Sequence, residues 1–272
     1  MIRQFRKQWL KWHGSYEKKA RIIFQRTFKE LARSIPFDRM TEDTYPIYIS
    51  FHVSEQAIKE AYFKVYKEIG MLHGKRVGKQ INRQIGQKDY TVEGFSREYL
   101  NNLFQWISKN TGQRIVSVRE KYIRFIRTIV ANGLKEGKSI SEMASEMQRI
   151  IKSRNFYRWQ SLRIARTETT TASNYAASVA STVSGVIMDK VWISAMDART
   201  RRPPESVFDH YSMNQKIVPL AEPFDVNGEK IMFPGAPKTP SGNETSAQNI
   251  INCRCTFARI VRRDQDGNII RV

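Results

Sequence analysis

Three observations predict an α+β fold: a mainly helical N-terminal part, then a small mixed module with short strands and long loops. Helical hydrophobic spacing and capping signals occupy the chain up to about residue 184. Prolines at 203, 204, 219, 223, 234, 237 and 240 punctuate the chain beyond Gly185. Both cysteines, Cys253 and Cys255, lie among those loops, two residues apart.

Residues 1–34 read as a basic helix whose aromatics (Phe5, Trp9, Trp12, Tyr16, Phe24) and Ile23 form its core face. Pro36 ends it. Tyr45–Val53 is rich in Tyr, Ile, Phe and Val, and reads as extended. Ser54 is an N-cap for a helix to about Ile85, with Ala57, Ile58, Ala61, Val65, Ile69 and Leu72 at helical spacing. Gly86–Thr91 reads as a loop. One or two helices span Ser96–Ala131, with Leu100, Leu103, Phe104 and Ile107 on one side and Gly112 as a candidate break. Ser139-Ile140-Ser141-Glu142 is a capping box. It opens a helix with an apolar face of Ile140, Met143, Ala144, Met147, Ile150 and Ile151. A further helix covers about Tyr157–Ser181 and carries Arg166-Thr167-Glu168. Strands are expected at Val186–Ile193, Ile217–Leu220, Glu229–Phe233 and Cys255–Val261. Asp266-Gly267 marks a terminal hairpin or tail.

The 272 residues, 40% hydrophobic, suffice for a buried core in one large or two ordinary domains. No apolar run approaches the roughly 20 residues of a membrane helix. Residues 1–7 lack the apolar core of a signal peptide, so synthesis in the cytosol is expected and the two cysteines remain thiols. Net charge is +20, unevenly placed. Residues 186–260 hold nine Lys/Arg against eight Asp/Glu, whereas residues 1–185 carry +18. Such an excess attracts polyanions, and double-stranded DNA or an acidic protein is the partner it suits.

For metal, Cys253 and Cys255 could share one ion with His210 and Asp197, making the four ligands usual for structural zinc. The competing reading, which is favoured, makes the cysteines small buried residues at a strand start. No other cofactor is expected. Asp197, Glu205, Asp209 and Glu244 could form a nuclease carboxylate set, but Asp-rich loops beside arginine more often make ion pairs and turn caps. Arg166 is expected to reach a carboxylate such as Asp197 bidentately, pinning its helix to the module. Trp192 reads as a core anchor.

Several motifs occur in order. They are Gly133–Ile140, Ile164-Ala165-Arg166-Thr167-Glu168-Thr169 with Asn174, Trp192, and Asp197-x-Arg199-Thr200-Arg201. His210, Pro219–Phe224, Pro234-Gly235 and Asn252-Cys253-Arg254-Cys255 complete the series. Over residues 113–260 it resembles the phage Mu F-like minor head protein family, also called phage head morphogenesis proteins. The chain departs from the family between Arg201 and His210, where Pro203-Pro204 suggests a reshaped loop.

The resemblance implies a non-enzymatic virion component, made in the host cytoplasm and located in the capsid interior or at the portal vertex. It would assist head assembly and genome packaging or ejection. Its partners would be the portal protein, other capsid or scaffold proteins, and DNA through the basic helices. It also implies a division into a variable basic region (1–112), a helical part of the head-morphogenesis domain (113–185), a strand-containing module (186–260) and a tail (261–272). Arg166, Glu168, Asp197, Arg199, Arg201 and Asn252, with His210 and the cysteines, would form one structural polar cluster. The alternatives are a metal-dependent nuclease or Arg–Glu transferase, and a non-specific DNA-binding protein.

Overall fold

The computed structural model describes residues 2–41, 43–86, 90–152 and 154–272. The side chains of Ile140, Ala144, Met147 and Ile151, expected on one apolar face, lie outside the described set, as do residues 87–89 of the expected loop.

Helix α1 (Ile2–Arg33) buries Trp9, Tyr16 and Phe24, the core face that its spacing predicts. Tyr45–His52 is a helix, α2, and not the expected extended segment. Two things override its β-rich composition. Pro46 stands in the first helical turn, where its missing N–H is harmless. Arginines of a later helix supply donors to its carbonyls: Arg119 binds Ser50 O and Val53 O at 2.7 and 2.8 Å, and Arg127 binds Pro46 O at 2.9 Å.

Ser54 caps α3 (Glu55–Val65) by accepting from the Ala57 N–H. The helical path continues through a π turn, Tyr66–Gly70, into α4 (Met71–Ile85). That wider turn shifts the helical phase. Leu72, expected inside, is therefore exposed, and His73, Val77 and Ile81 face the core instead.

Helix α5 (Tyr90–Lys135) is one helix of 46 residues, so Gly112 does not break it. Leu103 and Ile107 are buried, while Leu100 and Phe104, expected beside them, are exposed. The capping box forms before α6 (Ile140–Lys152): the Ser139 N–H donates to Glu142 at 2.7 Å, and the Glu142 N–H returns a bond to Ser139 Oγ.

Helix α7 (Arg154–Val183) is the centre of the molecule, packed by α1, α4, α5 and the π turn. Its run from Thr167 to Ala177 is buried on every side. A helix buried all round is usually apolar. This one uses Thr, Ser and Ala, whose small size admits close neighbours. Several hydroxyls bond back to the preceding turn, as Thr167 does to Arg163 O and Ser181 to Ala177 O.

The C-terminal module is built on an antiparallel sheet in the order β2–β1–β5, from β1 (Met188–Ile193), β2 (Ile217–Pro219) and β5 (Thr256–Val261). The register sets Trp192 opposite Phe257 and Lys190 opposite Arg259. A small hairpin, β3 (Phe224–Val226) and β4 (Glu229–Ile231), turns at Asn227-Gly228; β3 lies outside the expected strands. A one-turn helix, α8 (Ala247–Ile250), precedes the cysteines. The chain turns at Asp264–Asn268 and returns, with the Ile187 N–H donating to Ile270 O. The architecture is α+β, with a long helical region before a few short strands.

Candidate metal centre and the polar clasp around it

Asn252 adopts a left-handed conformation (φ 61°), which Asn tolerates better than most residues, and so turns the chain out of α8 into β5. Alternation along the extended segment then puts Cys253 and Cys255 on one side and Arg254 on the other. Three successive carbonyls are held from the helices. Thr170 Oγ1 donates to Cys253 O, Trp9 Nε1 to Arg254 O at 2.7 Å, and Asn174 Nδ2 to Cys255 O at 3.1 Å. Asn174 also donates to Pro234 O at 2.8 Å, and Thr171 to Gly235 O at 2.8 Å. Gly235 has φ 80°, and a Cβ there would lie 3.0 Å from Thr170 Cγ2, which accounts for a glycine at that contact.

His210 and both cysteines are 1–2% exposed. His210 Nδ1 lies 3.6 Å from each sulfur, and the three potential ligand atoms are within 4.8 Å of one another. On its far side, His210 Nε2 is 2.7 Å from Asn249 Oδ1, while Asn249 Nδ2 donates to Glu229 at 2.6 Å. Because the amide N–H faces Glu229, the amide oxygen faces His210. Nε2 is therefore the donor, and Nδ1 points at the sulfurs. The hydrogen bond that Cys253 receives from Cys255 pulls Cys253 well below its ordinary value, against its burial and with His210 adding. The same bond, with burial, pushes Cys255 well above.

Asp197 stands apart from this group. Arg254 grips both its oxygens, one at 2.6 Å, and Thr200 and the Arg199 N–H complete a turn around it. Burial raises the Asp197 carboxyl, but Arg254 and Arg199 together outweigh it and hold the group below its usual value. Arg166 does not reach Asp197, contrary to expectation. It embraces Glu17 of α1 at 3.0 and 3.3 Å, and approaches Asn252 Oδ1 at 3.4 Å. Arg254 holds Asp197, and Glu17 lies one helix away from Arg166. That pairing spans 149 residues and leaves no local trace in the sequence.

Glu168 belongs to a different buried group. It accepts from Arg114 at 3.0 Å and Tyr66 at 2.8 Å, with its carboxyl raised by burial and opposed by Arg114. A cleft of about 270 Å³ opens over this pair, between α5, α7 and residues 244–251. Arg201 donates to Ile251 O, and Arg199 is exposed. The expected single cluster is thus four adjoining ones. Sequence reasoning missed Glu17, Arg114, Tyr66 and His13. His13, buried beneath Arg166 and Arg254, donates to Thr170 Oγ1 at 3.0 Å; burial, then those two charges, lowers it to about 3. The suggested nuclease carboxylates do not converge: among the described residues, His210, Cys253 and Cys255 are the one such group.

A helical body whose central helix clamps a cysteine-bearing strand module defines the class of the molecule. Residues 124–258 match the family model described as Phage Mu protein F like protein, and through this stretch the chain belongs to the phage Mu F-like minor head protein family. It is 29% identical over 153 residues to the minor head protein GP7 of Bacillus phage SPP1, covering 56% of this chain and 44% of that protein. It is 27% identical over 174 residues to the NAD(+)–arginine ADP-ribosyltransferase EFV of Enterococcus faecalis, covering 61% of this chain and 32% of that protein. The chain therefore spans less than half the length of either relative. No solved structure matches it.

Proposed function

We propose that the protein is a structural component of a bacteriophage head, seated at the portal vertex or on the inner face of the capsid, where α1 meets packaged DNA. Membership of the minor head protein family carries the assignment to the head. One observation supports the DNA-facing role: Arg3, Lys7, Lys11, Lys18 and Lys29 are all exposed and fall on a single stripe of α1. At 1.5 Å per residue that stripe runs about 39 Å, a straight row of cations on a scaffold fixed by buried contacts. A solvated helix face usually mixes signs, and this stripe does not. Among the described residues no helix is long and apolar enough to cross a membrane.

The matched part of the Enterococcus protein is about a third of its length. We read it as a head-protein-like segment, with the transferase activity residing in the remainder. The C-terminal module of the present chain is accordingly structural, and incubation with NAD and an arginine acceptor is expected to leave the acceptor unlabelled.

Duplex DNA binding at several salt concentrations tests the DNA-facing role. Each phosphate contacted adds about 0.9 to the salt slope, so neutralising Lys7, Lys11 and Lys18 to Gln lowers the slope by roughly 2–3. Unchanged affinity and slope would remove α1 from the DNA. Mass spectrometry of purified heads tests location, and absence of the protein from DNA-filled heads would overturn the head assignment.

A further inference from the structure

We propose that His210, Cys253 and Cys255 hold one zinc ion, with a water molecule as fourth ligand, and that this ion is the structural centre of the C-terminal module.

Zinc sits about 2.3 Å from sulfur and about 2.0–2.1 Å from imidazole nitrogen, so a tetrahedral angle separates S from N by about 3.6 Å. His210 Nδ1 is 3.6 Å from both sulfurs. A metal-free triad engages the two sulfurs unequally. Nδ1 has one in-plane lone pair and can accept one S–H, which leaves the second contact without a hydrogen. An ion between the three atoms satisfies all of them.

The surroundings point the same way. Histidines that ligate metals donate their other N–H to a fixed acceptor, and here Asn249, itself 0% exposed and anchored by Glu229, fixes the ring. The Cys255 N–H lies 3.4 Å from Cys253 Sγ, a donor suited to a thiolate. Both sulfurs bind as thiolates, their remaining thiol protons pass to solvent, and the two thiolates balance the charge of the ion. Ligands only 1–2% exposed keep the ion inside the core of the module, where it ties the His210 loop to the cysteine segment. The donor types, two thiolates and an imidazole, select zinc over magnesium or calcium.

The test uses the full chain, reduced and stripped with a chelator, titrated with cobalt(II). The expected result is a break at one equivalent, with thiolate-to-cobalt charge-transfer absorption and the intense ligand-field bands of a tetrahedral ion, both abolished by added zinc. Cys255→Ser and His210→Gln are expected to lose stoichiometric binding. Asn249→Ala, which leaves all three ligands in place, is expected to weaken affinity 10- to 100-fold. No charge-transfer band in the wild-type chain at one equivalent overturns the proposal, whether or not the ligand variants fold. So does a band that persists in both ligand variants, which would put the ion elsewhere.

Discussion

Replacing Arg114 with Met keeps the apolar stem and removes the guanidinium that faces Glu168 from 3.0 Å. Glu168 is 2% exposed and Arg114 14%, so solvent screens the pair weakly. Removing one partner of a buried ion pair typically costs about 3–5 kcal/mol, because the other charge is left without compensation. At about 2–4 °C per kcal/mol for a chain of this size, Tm falls by roughly 6–20 °C. The loss should depend on pH with a definite sign. Burial already raises the Glu168 carboxyl and Arg114 opposes it, so the variant raises it further. The folded state then holds a proton that the unfolded state releases. Stability from this group is complete below the unfolded value of about 4.3, and is lost as pH rises through the folded one. The deficit of Arg114→Met relative to wild type therefore shrinks on acidification. Urea denaturation at pH 5 and pH 7.5 measures it, and Glu168→Gln in the Arg114→Met background should recover most of the loss. A deficit below about 1 kcal/mol at pH 7.5, or one that grows towards pH 5, would show that the pair does not hold α5 to α7.

Packing and charge elsewhere in the molecule are open to similar tests. A Cβ at Gly74 would lie 2.0 Å from the Phe95 ring, so Gly74→Ala is expected to cost about 1–3 kcal/mol by overpacking α4 against α5; thermal melting that matches wild type would show that the ring can yield. Burial lowers Lys190 in β1 to about 8, with its ammonium on Met232 O at 2.7 Å. The unfolded state binds the extra proton, so this group's contribution rises with pH between about 8 and its ordinary value. Lys190→Met should flatten that rise in a denaturation series across the window, and an unchanged slope would mean that the amine is well solvated.

The helices were readable wherever a local signal decided them. Ser54, the Ser139–Glu142 box and the spacing of Trp9, Tyr16 and Phe24 each act within a few residues. Local signals failed where a distant group intervened. Tyr45–Val53 has strand composition, yet Arg119 and Arg127 supply donors that make it a helix. Leu72 keeps helical spacing, but the π turn ahead of it moves the phase. At the site, Cys253 and Cys255 declared themselves by spacing, and His210 by being the one histidine in the C-terminal half. The partners of Arg166 and Glu168 were hidden because Glu17 and Arg114 lie on other helices, at separations that carry no periodicity.

The three latched carbonyls of residues 253–255 have a mechanical consequence. One latch, from Trp9, comes from α1, and the other two come from α7. Tension applied along α1 reaches the cysteine loop through the Trp9 indole hydrogen bond and reaches α7 through the Arg166–Glu17 pair. The loop and the helix bear load as one lever. An optical-trap pull on α1 should therefore rupture the module and the helix in a single step.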